Sequence, residues 1–191
     1  MLTGKTGRLN ASKRIKKAVS FVTASAMLLS IVTSSVPAIE VRAEGSPVEF
    51  IDRSWTEGSL AEIRYEEANY TVLTENTTEW SGGTYVVQSD TIIAERIAVT
   101  GEVKLILCDG VTLTAVKGIT VGNPPESSLT VYGQTNDNGV LYAGTTDGEE
   151  VTADEGFAGI GGTSENPAGG TITINGGVIY VCGGNNGAAI G

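Results

Sequence analysis

Three short strand-like patterns in fixed cyclic order, aliphatic residues that form columns when those patterns are aligned, and glycines at the joints predict an all-β fold. The architecture that satisfies all three is a right-handed, single-stranded parallel β-helix of about four coils with three strands each. The first pattern reads GTYVVQ at 83–88, KLILCDG at 104–110, SLTVYGQ at 128–134 and TITINGG at 171–177. The second reads TIIAE at 91–95, VTLTA at 111–115, VLYAG at 140–144 and VIYV at 178–181. The third reads IAVTG at 97–101, GITVG at 118–122, AGIGG at 158–162 and AAIG at 188–191.

Strand side chains alternate with period two, so the alignment sorts inward from outward positions. Leu105 and Leu107 align with Leu129 and Val131, then with Ile172 and Ile174. Leu113 and Ala115 align with Leu141 and Ala143, then with Ile179 and Val181, while Ile97, Ile119, Ile160 and Ile190 form a further column. The positions between these are Thr, Lys, Ser, Asn and Tyr. Burying one such aliphatic side chain is worth about 1.5–3 kcal/mol, enough for stacked columns to support a core. An antiparallel sandwich also has short strands with frequent turns, but it has no reason to cycle three distinct motifs. The interval between equivalent isoleucines is 22, then 41, then 30 residues, and loops at 134–138, 145–155 and 163–168 absorb the difference.

Residues 44–82 precede the repeats and are expected to cap them. Ala61, Ile63 and Tyr65 alternate with Glu62, Arg64 and Glu66, which suggests a strand pairing with residues 48–52 across Thr56, Glu57 and Gly58. Leu60 and Ile63 at helical spacing leave a short helix as the alternative. At the other end the sequence stops within the third motif at Gly191, so the repeat region, 83–191, is expected to be C-terminally truncated. Its open parallel edge would need further β-helix coils or another chain to cover it.

Residues 1–43 read as a secretory signal peptide. A basic stretch containing Lys5, Arg8, Lys13, Arg14, Lys16 and Lys17 leads into an uncharged run over 18–36 and then Pro37, with Val41 and Ala43 suiting cleavage after Ala43. The run has 19 residues, enough to anchor in a bilayer, but seven of them are Ser or Thr, which favours cleavage. The expected location is therefore secreted or cell-surface. Export permits disulfides, and it gives the NYT at 69–71 and NTT at 76–78 meaning only in a host that glycosylates them.

The 12 basic and 22 acidic residues are unevenly spread, for seven of the basic ones lie in the leader. The body after Ala43 keeps five basic against 21 acidic residues, which argues against nucleic acid and against anionic membrane surfaces. Acidic polysaccharides are disfavoured unless a cation bridges. With no histidine, His-based triads, His-ligated zinc and imidazole acid–base catalysis are excluded.

The run WSGGTYVVQSDTIIAERIAVTGEVKLILCDGVTLTAVKGITVG, followed by SLTVYGQ, GFAGIGG, GTITINGGVIYVCGG and GAAIG, resembles the repeat region of large secreted proteins from Gram-positive gut bacteria. Those proteins are similar to pectin-lyase-like parallel β-helices, and many are labelled carbohydrate-binding or surface repeat proteins. The resemblance covers about residues 70–191 and implies a cell-surface setting, with a polysaccharide or host glycan as partner. Such proteins usually continue into more coils and an anchoring signal.

Tyr142 and Tyr180 occupy equivalent outward positions, with Tyr132 on a neighbouring face. Such an aromatic ladder suits stacking on sugar rings, and it equally suits plain stabilisation of neighbouring strands. Trp80 is expected where the lead-in meets the repeats rather than in a site. Asp147, Glu149, Glu150, Asp154 and Glu155 crowd the longest loop, where clustered carboxylates suit Ca2+ or are simply solvated. Asn136, Asp137 and Asn138 form a weaker second cluster. Cys108 and Cys182 lie two coils apart, roughly 10 Å along the axis, too far for a disulfide. Glycoside cleavage needs facing carboxylates, yet only Asp109 and Glu95 fall at outward positions, and Lys104 and Arg96 are the only bases for lyase chemistry. The expectation is a non-enzymatic exported module that binds carbohydrate with or without Ca2+, the alternative being a passive stalk or adhesin segment.

Overall fold

The computed structural model describes residues 46–122 and 126–191, and the signal-peptide reading of 1–43 lies outside them. The described residues are all-β: they contain no helix, and thus none long and apolar enough to cross a membrane. The first two strands, β1 (Val48–Thr56) and β2 (Ser59–Glu67), form an antiparallel hairpin. Glu57 and Gly58 both adopt the left-handed backbone that a two-residue hairpin turn requires. The alternation of Ala61, Ile63 and Tyr65 is thus that of a strand, and the helical alternative falls.

A four-stranded parallel sheet takes the second motifs in the order β13 (Val178–Val181), β10 (Val140–Ala143), β7 (Thr112–Ala115) and β5 (Thr91–Ile93). Its columns pair as aligned: Leu113 with Leu141, Leu141 with Ile179, and Ala115 with Ala143. A seven-stranded parallel sheet holds β3 (Thr71–Val72), β4 (Glu79–Val87), β6 (Ile97–Leu107), β8 (Ile119–Val121), β9 (Ser128–Tyr132), β11 (Ile160–Gly161) and β12 (Thr171–Ile174).

This corrects the expected β-helix. The strands form three sheets, two parallel and one antiparallel, and not a single-stranded helical coil of three strands per turn. The reason lies in β6, which runs unbroken through the third motif of one repeat and the first motif of the next. Its first half pairs with β8 and its second with β9. Gly101, at φ 72°, turns the strand between the halves without ending it. First and third motifs therefore share one sheet. The last third motif contributes only an isolated parallel bridge between Ile160 and Ile190.

The first-motif alignment also slips. Leu129 faces Val103 and Val131 faces Leu105, two residues earlier in β6 than expected. A shift of two preserves which face each side chain takes, so apolar alternation alone cannot detect it. Val103, Leu105, Leu107, Leu113, Leu129, Leu141, Ile97, Ile119 and Ile160 join one core between the parallel sheets. Trp80 belongs to it, fully buried, stacked on Tyr85 at 5.4 Å and donating its indole N–H to the Thr77 carbonyl.

A second, smaller cluster forms on the outer side of the seven-stranded sheet. Val86 and Ile106 are apolar at outward positions, and the hairpin covers them with Val48 and Phe50. Backbone pairing of Ile51 with Gly133 fixes the hairpin there. Arg53 reinforces it, donating to Asp137 at 3.2 Å and to the Asn175 carbonyl at 3.1 Å.

Candidate functional site

Alternation in β10 and β13 sends Leu141, Ala143, Ile179 and Val181 inward and leaves Tyr142 and Tyr180 outward, in register with each other. Parallel strands lie about 4.8 Å apart, which is the separation at which two aromatic rings stack. The Tyr142 and Tyr180 rings accordingly sit 4.9 Å apart at an interplanar angle of 17°. Across β10 the row continues through Thr114 to Ile92, which is 63% exposed. β13 is the outermost strand of its sheet among the described residues, and Tyr180 is 44% exposed.

The acidic loop reaches the same place. Thr145 pairs with Val151 across a tight turn, and Gly148 packs on the rings, where an added Cβ would lie 3.1 Å from Cδ1 of Tyr180 and 3.6 Å from Cε1 of Tyr142. Asp147 holds this turn by accepting the backbone N–H groups of Glu149 and Glu150, each at 2.9 Å. Those two bonds hold its carboxyl below the usual aspartate value, since they stabilise the charged form. Asp147, Glu149 and Glu150 thus stand exposed beside the tyrosine pair.

Asp154 and Glu155 lie further along, where the chain turns back through a bond from the Phe157 N–H to the Asp154 carbonyl. Among the described residues no three carboxylates or thiols are grouped so as to hold a metal ion. In the second cluster Asp137 is engaged by Arg53 and by the Gly177 N–H at 2.7 Å, while Asn138 accepts the Gly110 N–H.

Beyond the loop, Arg96 ties its far end to the core. The guanidinium donates to the Thr120 hydroxyl and the Ala158 carbonyl, each at 2.6 Å, and to the Lys117 carbonyl, and lies 4.7 Å from the Phe157 ring centre. Glu95 pairs with Lys117 at 2.8 Å, and Asp109 accepts the Asn136 N–H at 3.0 Å in its turn. Both carboxylates are therefore engaged in local structure. Cys108 and Cys182 are both free thiols. Burial, aided by the Asp109 charge, pushes the Cys108 thiol up. Cys182 faces the Gly148 carbonyl at 3.8 Å.

Tyr132 is not part of the Tyr142–Tyr180 pair. Phe50 of the hairpin meets it edge-on at 4.7 Å and stacks on Tyr65 at 5.5 Å. Burial, with Asp52 adding to it, raises the Tyr132 phenol, while a hydrogen bond with Asn175 works the other way. Tyr132 closes one side of a groove of about 430 Å3 whose floor is the outward row Thr84, Lys104 and Thr130, with Glu102 and Ser128 beside it. Sequence reasoning found Tyr132 but missed the groove. Its signal is the polar run at outward positions next to apolar ones, Thr84 beside Val86 and Lys104 beside Ile106, which marks where a covering element stops.

The site thus defines an all-β protein that presents an aromatic pair beside a carboxylate-bearing turn, with a separate polar groove on its other parallel sheet. The chain matches no protein-family model, no curated protein and no solved structure.

Proposed function

We propose that the protein binds carbohydrate, with the Tyr142–Tyr180 pair as the platform. The observation that carries this reading is the outward pair itself: Tyr142 and Tyr180 stack 4.9 Å apart at 17° beside the carboxylate-bearing turn. An aromatic face of this kind stacks on the C–H side of a sugar ring, and the phenol and nearby carboxylates bond its hydroxyls. Asp147, Glu149 and Glu150 select neutral sugars by repelling anionic ones. The basic and then uncharged leader supports an extracellular setting for such binding.

The test is retention of the purified protein on a panel of neutral and acidic polysaccharides, with Tyr180→Ala as control. A stacking contact is worth about 0.5–1.5 kcal/mol, so the variant should lose up to about tenfold in affinity while remaining folded. A folded wild-type protein that binds nothing on the panel would overturn the reading in favour of a passive spacer.

A further inference from the structure

The five cationic side chains of the described residues differ in how they are engaged. Arg53, Arg64 and Lys117 each pair with a carboxylate, and Arg96 is spent on two carbonyls, a hydroxyl and a ring. Lys104 makes no ion pair. Its ammonium stands 5.9 Å from the Phe50 ring centre, exposed in the groove over β4, β6 and β9. Glu102 lines the same groove without pairing to Lys104, so the ammonium is free to meet a carboxylate from outside.

The neighbours define the rest of the ligand. Thr84 and Thr130 flank Lys104 in register; the Thr84 hydroxyl is buried and donates to Glu67 at 3.4 Å, which leaves the Thr130 hydroxyl to donate to or accept from a ligand. Tyr132 forms the aromatic wall, backed by the buried Phe50 ring at 4.7 Å. Glu102 lies two residues from Lys104 on the same face of β6, about 6.5–7 Å along the strand. It accepts a hydroxyl or amide N–H and repels a second carboxylate. The groove, at about 430 Å3, falls within the roughly 300–1,000 Å3 range of small-molecule sites.

We infer that this groove is a second binding site, separate from the tyrosine pair, for a terminal sugar bearing a single carboxylate, set against Lys104 with its hydroxyl or acylamino donors toward Glu102. A polyuronate does not fit this description, because each further carboxylate meets Glu102 and the acidic surface.

The test is calorimetric titration of the full chain with the methyl glycoside of N-acetylneuraminic acid, the methyl ester of the same glycoside, and digalacturonate. The acid should bind at least tenfold more tightly than its ester or than digalacturonate. Lys104→Met should abolish that preference and Lys104→Arg retain part of it, since Lys104 is exposed and its replacement leaves the core intact. Glu102→Gln should narrow the gap between the acid and digalacturonate. Tyr180→Ala should leave all of these unchanged, which separates this site from the platform. Equal binding of acid and ester, unaltered binding by Lys104→Met, or no saturable binding of the acid would each overturn the inference, and the ester comparison needs no variant.

Discussion

Replacing Arg96 with methionine keeps a similar apolar stem and removes three donated bonds, to Thr120, Lys117 and Ala158, together with the contact on Phe157. A hydrogen bond from a charged donor contributes about 1.5–3 kcal/mol net, and a buried carbonyl left without its donor costs about 1–3 kcal/mol. Burial works against the guanidinium, pulling its pKa down with only Asp154 opposing, so part of that gain is offset by desolvation. The variant should therefore lose about 3–4 kcal/mol, less than three full bonds and more than one. At about 2–4 °C per kcal/mol for a chain of this size, Tm should fall by roughly 6–16 °C. Urea and thermal unfolding followed by circular dichroism measure this, and hydrogen exchange should show the greatest loss of protection around 144–159. Arg96→Lys, with a point charge and fewer directed donors, should fall between the two. A loss below about 1 kcal/mol, or a lysine variant as stable as the parent, would refute the account of Arg96 as the clamp on this loop.

Gly148→Val should destabilise by about 1–3 kcal/mol and remove polysaccharide retention, because Gly148 sits at φ 89° with Tyr180 only 3.1 Å from an added Cβ; unchanged retention would count against the turn and the rings acting as one site. Asp147 should titrate below its ordinary 3.8 by carboxyl NMR. Because its folded pKa is depressed, its contribution to stability is fully present above pH 3.8 and is lost as pH falls through the lower folded value, and a midpoint at or above 3.8 would contradict the two backbone bonds. Cys108 should alkylate with iodoacetamide at pH 8 more slowly than a free cysteine peptide, since both its burial and Asp109 disfavour the thiolate; a peptide-like rate would show an open thiol.

Much of the local pairing is legible in the sequence. Tyr142 and Tyr180 fall at equivalent positions of one motif, and strand periodicity alone places them in register and on one face. The hairpin is legible for a similar reason, in the alternation after a turn that contains Gly58. What escapes such reasoning is set by tertiary geometry. The continuity of β6 across two motifs depends on Gly101 bending the strand where glycines at other joints end one, and both uses look alike in sequence. The two-residue slip between β6 and β9 is invisible to polarity. Val86 and Ile106 signal a covered outer face, but that Phe50 covers them depends on contacts such as Arg53 to Asp137, 84 residues apart. Likewise the sequence shows the crowding of Asp147, Glu149 and Glu150 but not where their atoms go. The actual arrangement spends Asp147 on its own backbone and turns Gly148 onto the tyrosines.

The anchoring of the hairpin through Arg53 also orders events in time. Its partner carbonyl on Asn175 lies 122 residues further along the chain. A ribosome extending at about 5–20 residues per second makes that carbonyl only about 6–24 s after Arg53 is added. The last apolar neighbour of Val48 and Phe50, Tyr132, is itself made 82 residues after Phe50, and before that the outer face of β4 and β6 has an incomplete cover. Nascent chains therefore pass through an interval in which this sticky patch faces the cell, and factors that hold unfolded polypeptides will find it at the N-terminal side first.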